Sequence, residues 1–139
     1  LAVASDKSKF ITPGVDIGLF CSTPMVPISR TVGKKKALEM LYTGEPVNAQ
    51  TALSIGLINK VTSEKDLSKE SELLAKKITS KSKKIIELGK NAFNKQINMS
   101  VEEAYNYTSK IMCQNMQMDQ AKQGIEAFIN KKTTKWNID

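Results

Sequence analysis

Few residues of this chain have the type and spacing to do chemistry. Cys21 and Cys113 are its two cysteines, Arg30 is its single arginine, and there is no histidine. Without histidine the chain cannot supply a Ser-His-Asp or Cys-His relay or an imidazole metal ligand. It also lacks a phosphate-cradling P-loop and a GxGxxG turn. The cysteines lie far apart without CxxC spacing, so no zinc or other metal site is expected, and they read as free, buried thiols of a reducing compartment. Asp16, just after the turn-forming pair Pro13-Gly14, reads as a cap for the turn that follows, and alternation along Val15-Asp16-Ile17 would turn it away from its neighbours' face. Phe128 and Lys131 stand three apart on a helical pattern, where spacing alone makes Phe128 core and Lys131 solvated.

Those residues must be positioned by an ordinary globular chain. Of 139 residues, 40% are hydrophobic and 25% charged, the balance of one domain or part of one rather than of a disordered or fibrous chain. No stretch has the roughly 20 apolar residues needed to span a bilayer, and the first residues have neither the basic nor the apolar segment of a signal peptide. The net charge of +7 could suggest a nucleic-acid partner. The charge is almost all lysine, however, dispersed beside glutamates without interleaved aromatics, whereas base edges and phosphates favour the arginine fork; a solvated surface is expected.

Leu1 to Ala4 and Phe10 to Thr12 read as short buried strands, the first entered in mid-fold as if the protein began earlier, the second stopped by Pro13-Gly14. Asp16 to Thr31, with Gly18, Pro24 and Pro27 among apolar residues, is expected to be a loop with at most broken helical turns. Lys34 to Tyr42 carries Ala37, Leu38 and Leu41 at helical spacing and stops at Gly44 and Pro46. Asn48 can cap a helix over Ala49 to Ile55, and Leu57 to Val61 reads as a strand.

From about Lys65 the pattern becomes a long helix to Asn94, breaking near Ser80-Lys81-Ser82, with Leu67, Leu74, Ile78, Ile85, Leu88 and Ala92 near one face. Ser100 and Glu103 form a capping box that starts another helix. It carries Tyr105, Tyr107, Met112 and Met116, whose apolar mass reads as helix packing or a subunit interface. After an interruption at Met118-Asp119, Gln120 to Lys132 forms a last helix with Ile125, Phe128 and Ile129 inward, and the tail is polar apart from Trp136. Strands followed by helices, with no internal repeat, point to an α/β fold lacking its amino-terminal part.

Three stretches carry a resemblance. They are Lys9-Phe10-Ile11-Thr12-Pro13-Gly14-Val15-Asp16-Ile17-Gly18; the block from Val32 to Val61 with its Thr43-Gly44 turn and its Ala49, Ala52, Gly56, Leu57 spacing; and Gln123-Gly124-Ile125-Glu126-Ala127-Phe128. The chain resembles the crotonase (enoyl-CoA hydratase/isomerase) superfamily over nearly its whole length. Its opening, Leu1 to Phe10, with Thr12 to Pro24, is most similar to the mitochondrial enoyl-CoA hydratase domain-containing branch. The resemblance implies the carboxy-terminal part of a ββα spiral (ClpP/crotonase) fold, with residues 1–62 ending the spiral core and 63–139 forming long helices that build trimers or dimers of trimers.

The resemblance also implies a coenzyme A thioester as substrate or ligand, with no separate cofactor, and a mitochondrial setting in fatty-acid metabolism. Thr12, Pro13, Gly14, Phe128 and Lys131 are the implied substrate-binding residues, the last two by covering the adenine and phosphates of CoA. Two backbone N–H groups that polarise the thioester carbonyl in the family belong to segments upstream of Leu1. So does one of its two glutamates. The other follows the proline of a G-x-P-E segment, and here Gly14 holds that position, while Ser22 holds the acidic position of the dienoyl-CoA isomerases. No catalytic residue is therefore assigned, and loss of a positioned acid costs about 10² to 10⁴ in rate. An acyl-CoA binder with altered or lost hydratase chemistry is the first expectation. An active hydratase (a lyase) or isomerase using upstream carboxylates, and an oligomeric scaffold without catalysis, are the alternatives. A glycine at position 14 either serves a positive φ or leaves room for a glutamate to be installed.

Overall fold

The computed structural model describes residues 1–134 and Trp136, so the expected polar tail lies partly outside the described residues. It falls into two compact units, Leu1–Leu73 and the part from Leu74 onward.

In the first unit, β1 (Val3–Ser5) pairs in parallel with β4 (Lys60–Thr62), and β2 (Lys9–Phe10) pairs antiparallel with β3 (Val47–Asn48). β1, β2 and β4 are each shorter than or shifted from the apolar run that marks them, and β3 was not expected from the sequence. Ladder hydrogen bonds, and not hydrophobicity, set their ends: Asp6 N–H still reaches the Thr62 carbonyl, whereas Leu57 and Ile58 donate instead to the carbonyl of Ala52. Thr12, expected in the second strand, lies beyond it.

Helix α2 (Lys34–Thr43) ends as its sequence predicts, at Gly44 in the left-handed conformation. Helix α3 (Ala49–Ser54) starts where the Asn48 side chain accepts a hydrogen bond from Thr51 N–H. Ala4, Met40, Val47, Ala52 and Ile58 close the core between these helices and the strands, with Phe10, Ile28, Leu57 and Val61 packed against it. The small alanines let helix and strand backbones approach.

The segment expected to be a loop is the main correction. A 3-10 turn covers Pro13–Ile17, and α1 then runs unbroken from Ser22 to Thr31. Pro24 is the third helical residue, where the missing N–H would have been unpaired anyway, and Pro27 forfeits a bond only to the first turn. Pro24 therefore sits where a helix loses least, whereas Pro27 lies inside the helix and costs it one hydrogen bond.

In the second unit the helices follow the sequence closely. Helix α4 (Leu67–Thr79), which begins in the first unit, and α5 (Lys83–Gln96) are separated at Ser80 to Ser82, and Ser82 caps α5 by accepting from Ile85 N–H. Helix α6 (Val101–Gln117) begins with the expected capping box: Glu103 N–H donates to Ser100 Oγ, and the Glu103 carboxylate accepts from Ser100 N–H at 3.0 Å. Helix α7 (Asp119–Ile129) is shorter than predicted. It closes with Lys132 N–H on the Ala127 carbonyl and Lys131 N–H on that of Phe128, a paired arrangement that puts Lys131 in the left-handed region at φ 53°.

Two expectations about burial fail here. Ile125, Phe128 and Ile129 face outward, Phe128 at 84% exposure, because the apolar face of α7 has more width than α6 and the Trp136 ring on Gly124 can cover. Cys113 is exposed and Cys21 half-buried, although both are free thiols as expected. No helix among the described residues is long and apolar enough to cross a membrane.

Candidate active site

The Thr12-Pro13-Gly14 segment leaves β2 and turns at once against α2. Thr12 is buried at 5% exposure, and its hydroxyl donates to the Met40 carbonyl at 2.8 Å. That hydroxyl is engaged in holding the turn. Pro13 supplies a fixed φ at the start of the 3-10 turn, where its missing N–H costs nothing. On the far side Gly44 comes so near that a Cβ there would stand 3.1 Å from Val15 and 3.2 Å from the Asp16 carboxylate. Phe20 lies against Tyr42, ring centroids 6.1 Å apart and tilted by 53°. The turn is thus fixed by a hydrogen bond, a close backbone approach and an aromatic contact, all onto α2.

Gly14 sits at the centre of this arrangement. Its φ is not positive; Gly18, Gly44 and Gly56 are the glycines that use the left-handed region. What position 14 lacks is space. An added Cβ would lie 2.8 Å from Cys21 Sγ, 2.9 Å from the Leu19 carbonyl oxygen and 3.4 Å from Cys21 N. The Gly14 carbonyl accepts from Leu19 N–H at 2.9 Å, and Gly14 N–H donates to Cys21 Sγ at 3.3 Å. Cys21 is the site residue that sequence reasoning missed. Its only signal was a seven-residue return across Gly18, and nothing in a linear pattern says that such a return closes on itself.

The other positions fare variously. Ser22 opens α1, with its hydroxyl donating to the Phe20 carbonyl at 3.2 Å. Asp16 is exposed and caps neither the 3-10 turn nor α1, since no side-chain hydrogen bond caps either start. The reason is that 13–17 is itself a tight helical turn, so strand alternation does not govern Asp16. Phe128 and Lys131 belong to the second unit, where both are exposed, and Lys131 has left the helix, so the shared-face spacing assumed for the pair does not hold there. Among the described residues no group of three or more histidine, cysteine, aspartate or glutamate side chains could hold a metal ion.

The family model described as Enoyl-CoA hydratase/isomerase matches residues 1–138. The chain belongs to the enoyl-CoA hydratase/isomerase family. It is 50% identical over 137 residues to the rat protein named "Enoyl-CoA hydratase domain-containing protein 3, mitochondrial", covering 99% of this chain and 46% of that protein. Orangutan "Enoyl-CoA hydratase, mitochondrial" is 32% identical over 130 residues, 93% of this chain and 45% of that protein.

The crystal structure of the human enoyl-CoA hydratase domain-containing protein 3 superimposes with a TM-score of 0.92 at 48% identity, covering 98% of this chain and 54% of that one. An enoyl-CoA hydratase structure from Mycobacterium smegmatis gives 0.95 at 42% identity, covering 98% and 53%. The chain therefore spans about half the length of the relatives it matches. Its fold is that of the carboxy-terminal part of the crotonase spiral, as the resemblance implied. The mitochondrial names of the rat and human relatives agree with the expected compartment.

Proposed function

We propose that the protein of which this chain forms part is a mitochondrial acyl-CoA-binding member of the family, acting in fatty-acid metabolism with altered or lost hydratase chemistry. The observation that supports this most is Gly14. It follows Pro13 where the family's proton-transferring glutamate would stand, and neither a side chain nor an unengaged N–H is offered there. The nearest acid in sequence, Asp16, points from an exposed turn. The polypeptide can still shape a thioester pocket from the Thr12 to Gly14 turn, while Phe128 and Lys131 offer an aromatic face and an ammonium to the nucleotide end of CoA.

Self-association as a trimer or dimer of trimers belongs to the same reading. Tyr105, Met112, Met116, Ile125, Phe128 and Ile129 present large apolar surface on α6 and α7, more than a soluble monomer ordinarily leaves open.

A second reading, an active hydratase or isomerase drawing its carboxylates from outside this chain, is favoured by the 42% identity to the M. smegmatis hydratase. Full-length protein titrated with crotonyl-CoA by calorimetry and assayed for hydration separates them. The proposal expects micromolar-range binding with hydration reduced about 10² to 10⁴-fold. Turnover on the order of 10 per second, an ordinary enzyme rate, would overturn it in favour of the active enzyme, and absence of binding would leave only the scaffold.

A further inference from the structure

We propose that Cys21, together with the Leu19 carbonyl, reserves position 14 for glycine, so that the absent acid and the returning thiol belong to one interlocked feature. The inference rests on the altered-catalysis reading for its meaning, but its evidence is steric. A Cβ at position 14 would stand 2.8 Å from Cys21 Sγ and 2.9 Å from the Leu19 carbonyl oxygen, both closer than such contacts can be. The thiol cannot simply swing away without loss, because Sγ accepts the Gly14 N–H at 3.3 Å.

Nor can the backbone yield freely. Leu19 N–H is tied to the Gly14 carbonyl at 2.9 Å, Ser22 N–H to the Phe20 carbonyl at 2.7 Å, and Phe20 rests on Tyr42. Position 14 is therefore closed by its own downstream segment. The Gly14 N–H is engaged as well, so it is no spare donor for a developing oxyanion. It follows that installing the missing acid by Gly14→Glu alone strains the turn and does not rebuild a hydratase. Reversal has to displace both the Cys21 thiol and the Leu19 carbonyl.

The test is a double-mutant cycle on the full-length protein, read by thermal unfolding. Gly14→Ala should lower Tm by several degrees, about the effect of overpacking a tight site. In a Cys21→Ala background the same substitution should cost about half as much, since Sγ is gone and only the Leu19 oxygen remains. Cys21→Ser keeps a smaller γ-atom on a shorter bond and should give relief between that of cysteine and that of alanine, which distinguishes a steric interlock from general softening of the loop. Where Gly14→Ala alone fails to fold, recovery of folded protein by Cys21→Ala but not by Cys113→Ala is the equivalent result. Additive losses, an unshifted Tm for Gly14→Ala, or no recovery by Cys21→Ala would overturn the interlock. Rapid hydration of crotonyl-CoA by the wild-type protein would overturn the altered-catalysis reading while leaving the cycle unaffected, so the two failures are separable.

Discussion

Leu41 and Phe128 are both large apolar residues on amphipathic helices, yet Leu41 is 1% exposed and Phe128 84%. The contrast holds for their surroundings. In the first unit, Ala37, Met40, Leu41, Ala49, Ala52 and Ile58 are buried among short strands and helices, whereas in the second unit Ala92 is the buried hydrophobic residue among those described. The same helical periodicity therefore has two outcomes. A stripe becomes core when chain connectivity returns another element onto it, as the 3-10 turn and α1 return onto α2, and β3 and β4 onto α3. It remains surface when the helices are in-line neighbours, because α5 with α6 and α6 with α7 each spend only part of their circumference on each other.

The largest effect is expected at Leu41. Leu41→Ala should destabilise the folded protein by about 2–5 kcal/mol, the range for emptying a packed core position, measured by chemical denaturation of the full-length protein. A loss as small as that of an exposed substitution would mean that the first unit has no true core. At Met112 the expectation is reversed. Met112→Lys should leave the unfolding transition of the isolated subunit almost unchanged and weaken self-association, since one apolar side chain in an interface is worth about 1.5–3 kcal/mol. Sedimentation velocity over a concentration series reads this, and an unaltered assembly would return α6 to ordinary surface.

Thr12→Val should have a smaller effect. The lost hydroxyl leaves the Met40 carbonyl still accepting from Gly44 N–H at 3.2 Å, so no acceptor is orphaned and the cost should be only about 0.5–1.5 kcal/mol. A larger loss in Tm would indicate that the turn is held chiefly by this bond. The smallest effect is expected at the start of α6. The Ser100 side chain, and then its backbone N–H, bond to the Glu103 carboxylate and lower its pKa, with burial opposing only weakly. A lowered folded pKa stabilises above the ordinary glutamate value and is lost as pH falls through the folded one. Helix content by circular dichroism should therefore fall slightly more between about pH 5 and 3 in the wild type than in Glu103→Gln.

Much of this protein was determined by local sequence alone. Capping is decided within one turn, so Asn48 and the Ser100–Glu103 box started their helices where expected, the helix broke near Ser80 to Ser82 as expected, and Gly44 ended α2. Most of the order of strands and helices, though not α1 or β3, and the family itself were also legible in motif spacing. Other features were not local. Whether α1 could absorb Pro24 and Pro27 depended on where its first residue fell, and whether Phe128 was core depended on a covering element that periodicity cannot name. The candidate site shows the division within a single residue. The sequence alone established that position 14 is glycine and carries no acid. That a glycine is required there follows from the tertiary structure, because Leu19 and Cys21 fold back to within 3 Å of its missing side chain, and such a close approach between non-adjacent residues is set only when the chain closes on itself.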